Sequence, residues 1–382
     1  SSTQENQENQ ESQQNQGAQE DQQDQLIQQD QQIQQNQENQ EIPDNKETQE
    51  ITIANGRFRI DYKIASGGYS RVYAGTDKKT NQQVAIKLEE VDQEVSSPSR
   101  RQETVKLEGR LYRKLPLHGY PKLHWTGRTR GGLYDVLVTD LLGPSLWNLF
   151  EYCGERFSLD TLCNIAIQAL KRLQGLHKAG IIHNDIKPMN FAIGSGKSGN
   201  TLYLIDLGLS STWEEIKDKD GVKQRGGLLG TSYYAPLEAL WGRARSYRDD
   251  LTSLGLTLVE LSKGKLPWGD ANGSLCLGKR EKITLDELCS GLPQVQFLME
   301  HAKQLRFDQL PNYGLLIKKF EKALSDSGSG RTCIFDWVKV RYRRMQRKME
   351  ERAAGLENRR RSRDEDDDGE EEGPPRSRPR QQ

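Results

Sequence analysis

An α+β fold in two lobes is what this 382-residue chain predicts: a small antiparallel sheet lobe first, then a larger, mostly helical lobe. Three observations carry the expectation. Short segments of period-two alternation follow one another over residues 57–88 with only turns between them. Long segments of helical spacing occupy 158–178 and 250–263. Biased polar tracts flank both.

The first strand is read at 57–65, where Phe58, Ile60, Tyr62 and Ile64 alternate with Arg57, Arg59, Asp61 and Lys63. Ser66-Gly67-Gly68 turns the chain, and Arg71-Val72-Tyr73-Ala74 resumes an extended run. After a polar turn, Val84-Ala85-Ile86-Lys87-Leu88 reads as a third strand, so the three form an antiparallel meander. Val105, Leu107, Leu111 and Leu115 suit a helix over 104–115, and 134–142 reads as a further strand ending at Gly143-Pro144. The helical part opens with Ser158 as N-cap and Asp160 in the first turn. Leu162, Ile165, Ala169, Leu173 and Leu176 recur at helical spacing until Lys178 and Gly180 close the segment. Residues 250–263 are apolar nearly all round, which predicts a central helix.

Composition bounds the rest. Lys+Arg and Asp+Glu both total 55, so net charge points to neither nucleic acid nor membrane. Residues 1–55 are dominated by Gln, Asn and Glu and are expected to be disordered; Leu26, Ile27 and Ile33 make a poor coiled-coil seam. Residues 338–363 are strongly basic and are expected to extend the chain as a helix. Residues 364–382 are acidic, then rich in Pro and Arg. The ordered domain is expected over 56–337, with lobes at 56–142 and 143–337. Five scattered cysteines, no bilayer-length apolar run and no leader pattern lead to the expectation of a cytoplasmic and/or nuclear chain with no membrane partner.

The most informative stretch is His183-Asn184-Asp185-Ile186-Lys187-Pro188-Met189-Asn190. An Asp able to accept a hydroxyl proton, a Lys two residues on and an Asn able to hold a divalent cation make the catalytic loop of a phosphoryl-transfer enzyme. Asp185 is the candidate base, Lys187 the candidate for stabilising charge on the transferred group, and His183 a brace. Lys87 has the setting of the strand lysine that grips nucleotide phosphates, and Glu108 on the next helix could orient it through an ion pair. Asp206, after the apolar run Leu202-Tyr203-Leu204-Ile205, joins Asn190 as the candidate pair for Mg²⁺. The phosphate-covering hairpin is the least complete part, with Ala65 and Ser70 where a G-x-G-x-x-G loop has glycines.

These parts together resemble the eukaryotic protein kinases, and more narrowly the casein kinase I family. The narrower resemblance rests on Leu141-Leu142-Gly143-Pro144-Ser145-Leu146, the loop at 183–188, Arg248-Asp249-Asp250-Leu251, Leu266-Pro267-Trp268, Leu305-Arg306-Phe307-Asp308 and Phe335-Asp336-Trp337. The resemblance implies a bilobal kinase fold, ATP with Mg²⁺, and phosphorylation of Ser or Thr in proteins by a monomeric catalytic domain. It implies a nucleotide site made by Ile64, Ala65, Ser66, Gly67, Gly68, Tyr69, Ser70, Arg71, Val72, Ala85 and Lys87. Thr139 would stand at the back of that site, and Asp140 to Leu142 would form its hinge. Asp250 would brace the catalytic loop. Acidic or already phosphorylated substrates are implied as well, with Lys223 and Arg225 at a basic groove; Lys279, Arg280 and Lys282 stay unassigned.

The departures set further expectations. Asn184 stands for the usual Arg, so activity should not depend on a phosphorylated activation segment. Leu207 stands for a Phe, and Met189 for an acidic residue. Glu238 occupies the place of a structural Glu, with Arg306 as its expected partner. The acidic run at 364–372 could fold back onto the basic groove and inhibit. Two other readings stay open: a pseudokinase that keeps the fold as an interaction module, and nucleic-acid contact, which rests on the basic tail alone.

Overall fold

Apolar alternation predicts burial correctly only for the near half of the first long strand. The structure, a computed structural model, describes residues 51–66, 70–91, 104–220, 231–269, 273–328 and 334–367. Strands β1 (Thr52–Ile53), β2 (Phe58–Ser66), β3 (Ser70–Asp77), β4 (Gln82–Glu90), β5 (Leu123–Arg128) and β6 (Tyr134–Asp140) form one antiparallel sheet in the order β1-β2-β3-β4-β6-β5. The β2–β3 ladder slips between Ile60 and Tyr62 and again between Lys63 and Ala65. Each slip adds a residue to one strand and turns the side chains that follow to the other face. Phe58 is buried and Ile60 packs beside it, whereas every residue from Asp61 to Ser66, Tyr62 and Ile64 included, is exposed, against the single apolar face expected from the sequence: past the slips the strand has left the core.

The sheet's core is Ile53, Phe58, Val84, Ile86, Val136 and Val138. Helix α1 (Thr104–Tyr112) packs on β4, β5 and β6 through Val105 and Leu111, and stops three residues short of the expected end. Strand β5 is absent from the sequence reading. Its side chains are half-buried on both faces, so Leu123 to Arg128 carry no alternation to detect.

The helical lobe begins with α2 (Leu146–Tyr152), where Ser145 and Asn148 form a reciprocal capping box. In α3 (Leu159–Lys178) the Ser158 hydroxyl accepts from the Thr161 N–H, and the five stripe residues read from sequence are all buried. Gly180, at φ +70°, ends the helix in the left-handed region that glycine tolerates. Short strands β7 (Ile181–Ile182), β8 (Phe191–Ile193), β9 (Leu202–Leu204) and β10 (Ser211–Thr212) follow, with β7 paired to β10 and β8 to β9. Helices α4 (Trp213–Ile216) and α5 (Leu237–Leu240) lead to α6 (Tyr247–Lys263). A Ser246/Asp249 capping box starts α6 three residues before the expected position, and Gly264 at φ +92° closes it. Leu251, Leu254, Leu256, Leu258, Val259 and Leu261 are all buried, so this helix is central as expected. Helices α7 (Gly273–Arg280), α8 (Leu285–Leu288), α9 (Pro293–Gln304) and α10 (Tyr313–Asp326) complete the lobe, with α9 packed on α6 and α10 on α3. The bilobal α+β expectation holds.

The chain divides into two compact units, one to Cys333 and one from Ile334. In the second, the Phe335 and Trp337 rings stack 4.3 Å apart and helix α11 (Asp336–Asp367) runs through the basic stretch into the first acidic residues. No helix among the described residues is long and apolar enough to cross a membrane.

Candidate active site

Strand β4 places Lys87 between Val72 of β3 and Leu137 of β6. Its ammonium donates to Glu108 Oε2 at 2.8 Å and to Asp206 Oδ1 at 2.7 Å, so one cation joins three elements remote in sequence. Burial opposes the charge on Lys87, but the two carboxylates outweigh it and hold the group above the usual ammonium range. Burial also pushes the Asp206 carboxyl up; Lys87 overrides it and brings the group down to about 2. Glu108, more deeply buried, is raised by burial and by the like charge of Asp206 despite Lys87.

Helix α1 grips the Asp206 loop as well. The Asp206 N–H donates to the Tyr112 hydroxyl at 3.2 Å, and the Leu207 N–H donates to Glu108 Oε1 at 3.3 Å. Leu207 is fully buried and supplies the apolar anchor expected where a Phe is usual.

The catalytic loop is built differently. Asp250, buried at the start of α6, accepts from the His183 N–H at 2.7 Å, the Asn184 N–H at 2.9 Å and His177 Nε2 at 2.9 Å. Burial works against its ionisation, yet these donors hold it below the ordinary carboxylate range. His183 donates from Nε2 to the Ile205 carbonyl at 3.1 Å and accepts from the Asp185 N–H at Nδ1, 3.2 Å. Both ring nitrogens are thus committed to backbone, which is the bracing role expected. Asn184 adopts φ +70°, and its amide donates to the Leu209 carbonyl at 2.9 Å and the Ser211 hydroxyl at 2.8 Å. The buried guanidinium of Arg245 donates to the Asn184 carbonyl.

Within this frame the Asp185 carboxylate meets Lys187 Nζ at 2.7 Å, Asn190 Nδ2 at 3.1 Å and the Thr231 N–H at 3.1 Å. Lys187 Nζ also donates to the Thr231 hydroxyl at 3.0 Å. Asn190 donates through Nδ2 to the Asp185 carbonyl too, at 2.7 Å, which leaves its Oδ1 as the oxygen it can offer a hard cation. The Ile205 N–H donates to the Asn190 carbonyl at 2.9 Å, tying this loop to the residue before Asp206. Among the described residues no cluster of three or more His, Cys, Asp or Glu could hold a metal alone. One amide and one carboxylate oxygen, completed by substrate phosphates, suit Mg²⁺, which keeps few protein ligands. The donor set therefore fits.

Of the nucleotide-site residues expected from sequence, Gly67, Gly68 and Tyr69 lie outside the described residues. The flanks of that hairpin pair as Ala65 with Val72 and Ser66 with Arg71; Ile64, Ala65, Ser66 and Arg71 are exposed, and Ser70 and Val72 half-buried. Ala85 lies directly opposite Thr139 on the β4–β6 ladder, and both are half-buried. At the expected hinge, the Asp140 N–H donates to the Lys122 carbonyl at 3.1 Å. Its carboxylate takes His124 Nε2 at 2.7 Å and the Lys122 N–H at 2.9 Å. Asp140 therefore anchors the hinge to β5, and Leu142 follows half-buried in an irregular stretch. Lys223 and Arg225 lie outside the described residues.

One expected pair is not formed. Glu238 meets Arg243 at 2.9 Å, and Arg306 meets Asp308 at 3.1 Å. Each finds a partner within five residues, and a local pair orders less chain than a remote one. Arg280 is buried, donates to the Ala235 carbonyl and lies 4.5 Å over the Trp268 ring, so it packs within the lobe. Thr231 and Arg245 escaped the sequence reading altogether. Thr231 lies 46 residues from Asp185 and Arg245 61 from Asn184, with no motif linking either pair.

A lysine shared by two carboxylates, beside an Asp–Lys–Asn loop, is the arrangement that phosphoryl transfer calls for. The family model for the protein kinase domain matches residues 58–319, more than half of the chain. The chain belongs to the protein kinase family, whose domain generally works with ATP and Mg²⁺.

Proposed function

We propose that this chain is an active serine/threonine protein kinase of casein kinase I type, moving the γ-phosphoryl group of ATP to Ser or Thr hydroxyls in acidic or already phosphorylated proteins. The observation that carries it is the Asp185 carboxylate, set by Lys187, Asn190 and the Thr231 N–H in one hydrogen-bonded group. Asp185 takes the proton as the substrate oxygen bonds to phosphorus and the bond to the β-phosphate oxygen breaks, releasing ADP. Lys187, already paired with Asp185, places a second charge where negative charge gathers on the transferred group. Lys87, oriented by Glu108, binds the α- and β-phosphates. Asn190 and Asp206 would hold Mg²⁺, which neutralises charge between the phosphates.

Asn184 already ties the catalytic loop to Leu209 and Ser211 through neutral bonds, which supports activity without activation-segment phosphorylation. Treatment of the purified enzyme with a phosphatase should leave its rate unchanged; abolished activity would refute this. The casein kinase I motifs also support a monomeric catalytic domain acting on protein substrates, and the scattered cysteines support a place in the cytoplasm and/or nucleus. Nucleic acid would meet it only through the basic helix at 338–363. Truncation after Trp337 should raise the rate if the acidic run at 364–372 inhibits.

Transfer of labelled phosphate to an acidic Ser/Thr peptide tests the central reading. Asp185→Asn should lower kcat by about 10²–10⁴, the span of general-base effects. Equal labelling by both proteins would remove Asp185 as the base. Ala65 and Ser70, in place of glycines beside the phosphate hairpin, favour a second reading: a pseudokinase serving as a nucleotide-binding scaffold. Nucleotide binding without any labelling would select it.

A further inference from the structure

Helix α1 carries Glu108, yet its first turn holds no acidic residue. The stabilising carboxylate comes from elsewhere. Glu89, two residues beyond Lys87 on β4 and itself 5% exposed, accepts from the Thr104 hydroxyl at 2.6 Å and the Thr104 N–H at 3.3 Å through Oε1, and from the Val105 N–H at 3.0 Å through Oε2. An anionic acceptor at free N–H groups satisfies donors that the helix itself leaves open and complements its dipole. Residues two apart on a strand share a face. Lys87 and Glu89 therefore reach the same helix from one strand face, the first at Glu108, the second at the helix start one turn earlier.

We infer that Glu89 is a positioning residue for phosphoryl transfer: as a cap supplied by the strand, it fixes the rotation of α1 and so presents Glu108 to Lys87 and to the Asp206 loop. The remote end of this linkage is the Leu207 N–H, which bonds to Glu108 and not to Glu89. A role confined to helix stability would end at residues 104 and 105. The inference rests on the kinase reading above for its effect on rate, but not for its effect on structure.

The test pairs two measurements on the full chain. Amide hydrogen exchange of Glu89→Ala should be faster at Thr104 and Val105 and also at Leu207, and Glu89→Gln, which keeps one acceptor oxygen, should show a smaller change in the same places. In parallel, Glu89→Ala should lower kcat/KM for ATP about tenfold, the scale of one lost helix cap. In a Glu108→Gln background the same change should cost less than about twofold, because the group it positions is already disabled. Unchanged exchange at Leu207, or an undiminished tenfold loss in the Glu108→Gln background, overturns the inference. If the wild-type chain transfers no phosphate, the proposed function falls alone; the exchange at Leu207 still decides the role of Glu89.

Discussion

The two halves of the site are held by opposite means. On the sheet side, Lys87, Glu108 and Asp206 come from a strand, a helix and a loop and are joined by charge. On the loop side, the backbone of His183 and Asn184 is held by hydrogen bonds that converge on one buried carboxylate, Asp250. The Lys87 ammonium, on a flexible stem with three donors, can turn between its two carboxylates, whereas backbone N–H groups each need their acceptor in one place. In the proposed reaction the sheet side would then suit the admission of phosphates, and the loop side the holding of a base in one position. Adjacent Asp249 and Asp250 show the same contrast within two residues. Both are buried, but burial raises Asp249 to about 6, while the donors around Asp250 keep it low.

Removing the loop's foundation should have the largest effect. Asp250→Ala leaves the His183 and Asn184 N–H groups and His177 without their acceptor, and should cost about 3–5 kcal/mol of stability together with activity. A urea melt and a rate measurement check it; a stable, active variant would show that the loop stands without Asp250. On the sheet side, Lys87→Met should instead cut kcat/KM about 10²-fold or more with a smaller loss of stability, because the Glu108 carboxyl, already raised by burial, can take up a proton once Lys87 is gone. Equal stability losses on the two sides would end the contrast.

Asp249 gives a pH test of intermediate size. Its folded value, about 6, lies above the ordinary carboxylate value. The stability linked to this group is therefore fully present below about pH 4 and lost as pH rises through 6. Asp249→Asn keeps an acceptor for the Ser246 N–H and should flatten the stability profile between those limits, gaining about 1–3 kcal/mol at neutral pH. An unchanged slope would place the titration elsewhere. Asp206 runs the opposite way: held at about 2 by Lys87, it contributes stability above about pH 4 that is lost as pH falls through 2. The smallest effect is expected at the surface. A double-mutant cycle of Glu238 and Arg306 should show coupling below about 0.5 kcal/mol, because each already has a local partner. Strong coupling would restore the pair expected from sequence.

Legibility followed the range of the interactions. Helix α3 could be read because its cap at Ser158 and its stripe from Leu162 to Leu176 are local and periodic. Strand β5 could not, because its burial depends on α1 and β6 rather than on its own pattern. The far half of β2 was misread because Tyr62 and Ile64 keep the alternation of a half-buried strand where both of its faces are exposed. Asp185, Lys187 and Asn190 lie within six positions and could be found together, whereas Thr231, 46 residues from Asp185, could not.

Residue order alone was enough for the bilobal α+β plan, for helices such as α3 and α6, and for naming Lys87, Asp185, Asn190 and Asp206 as candidates, since these follow from periodicity and from short motifs. Three-dimensional packing decided which further groups share a hydrogen bond or a charge: Asp206 with Lys87, Thr231 with Asp185, Arg245 with Asn184, Glu89 with the start of α1. Such pairs cross tens of residues, and their geometry exists only once the core has closed and desolvation has made each partner necessary.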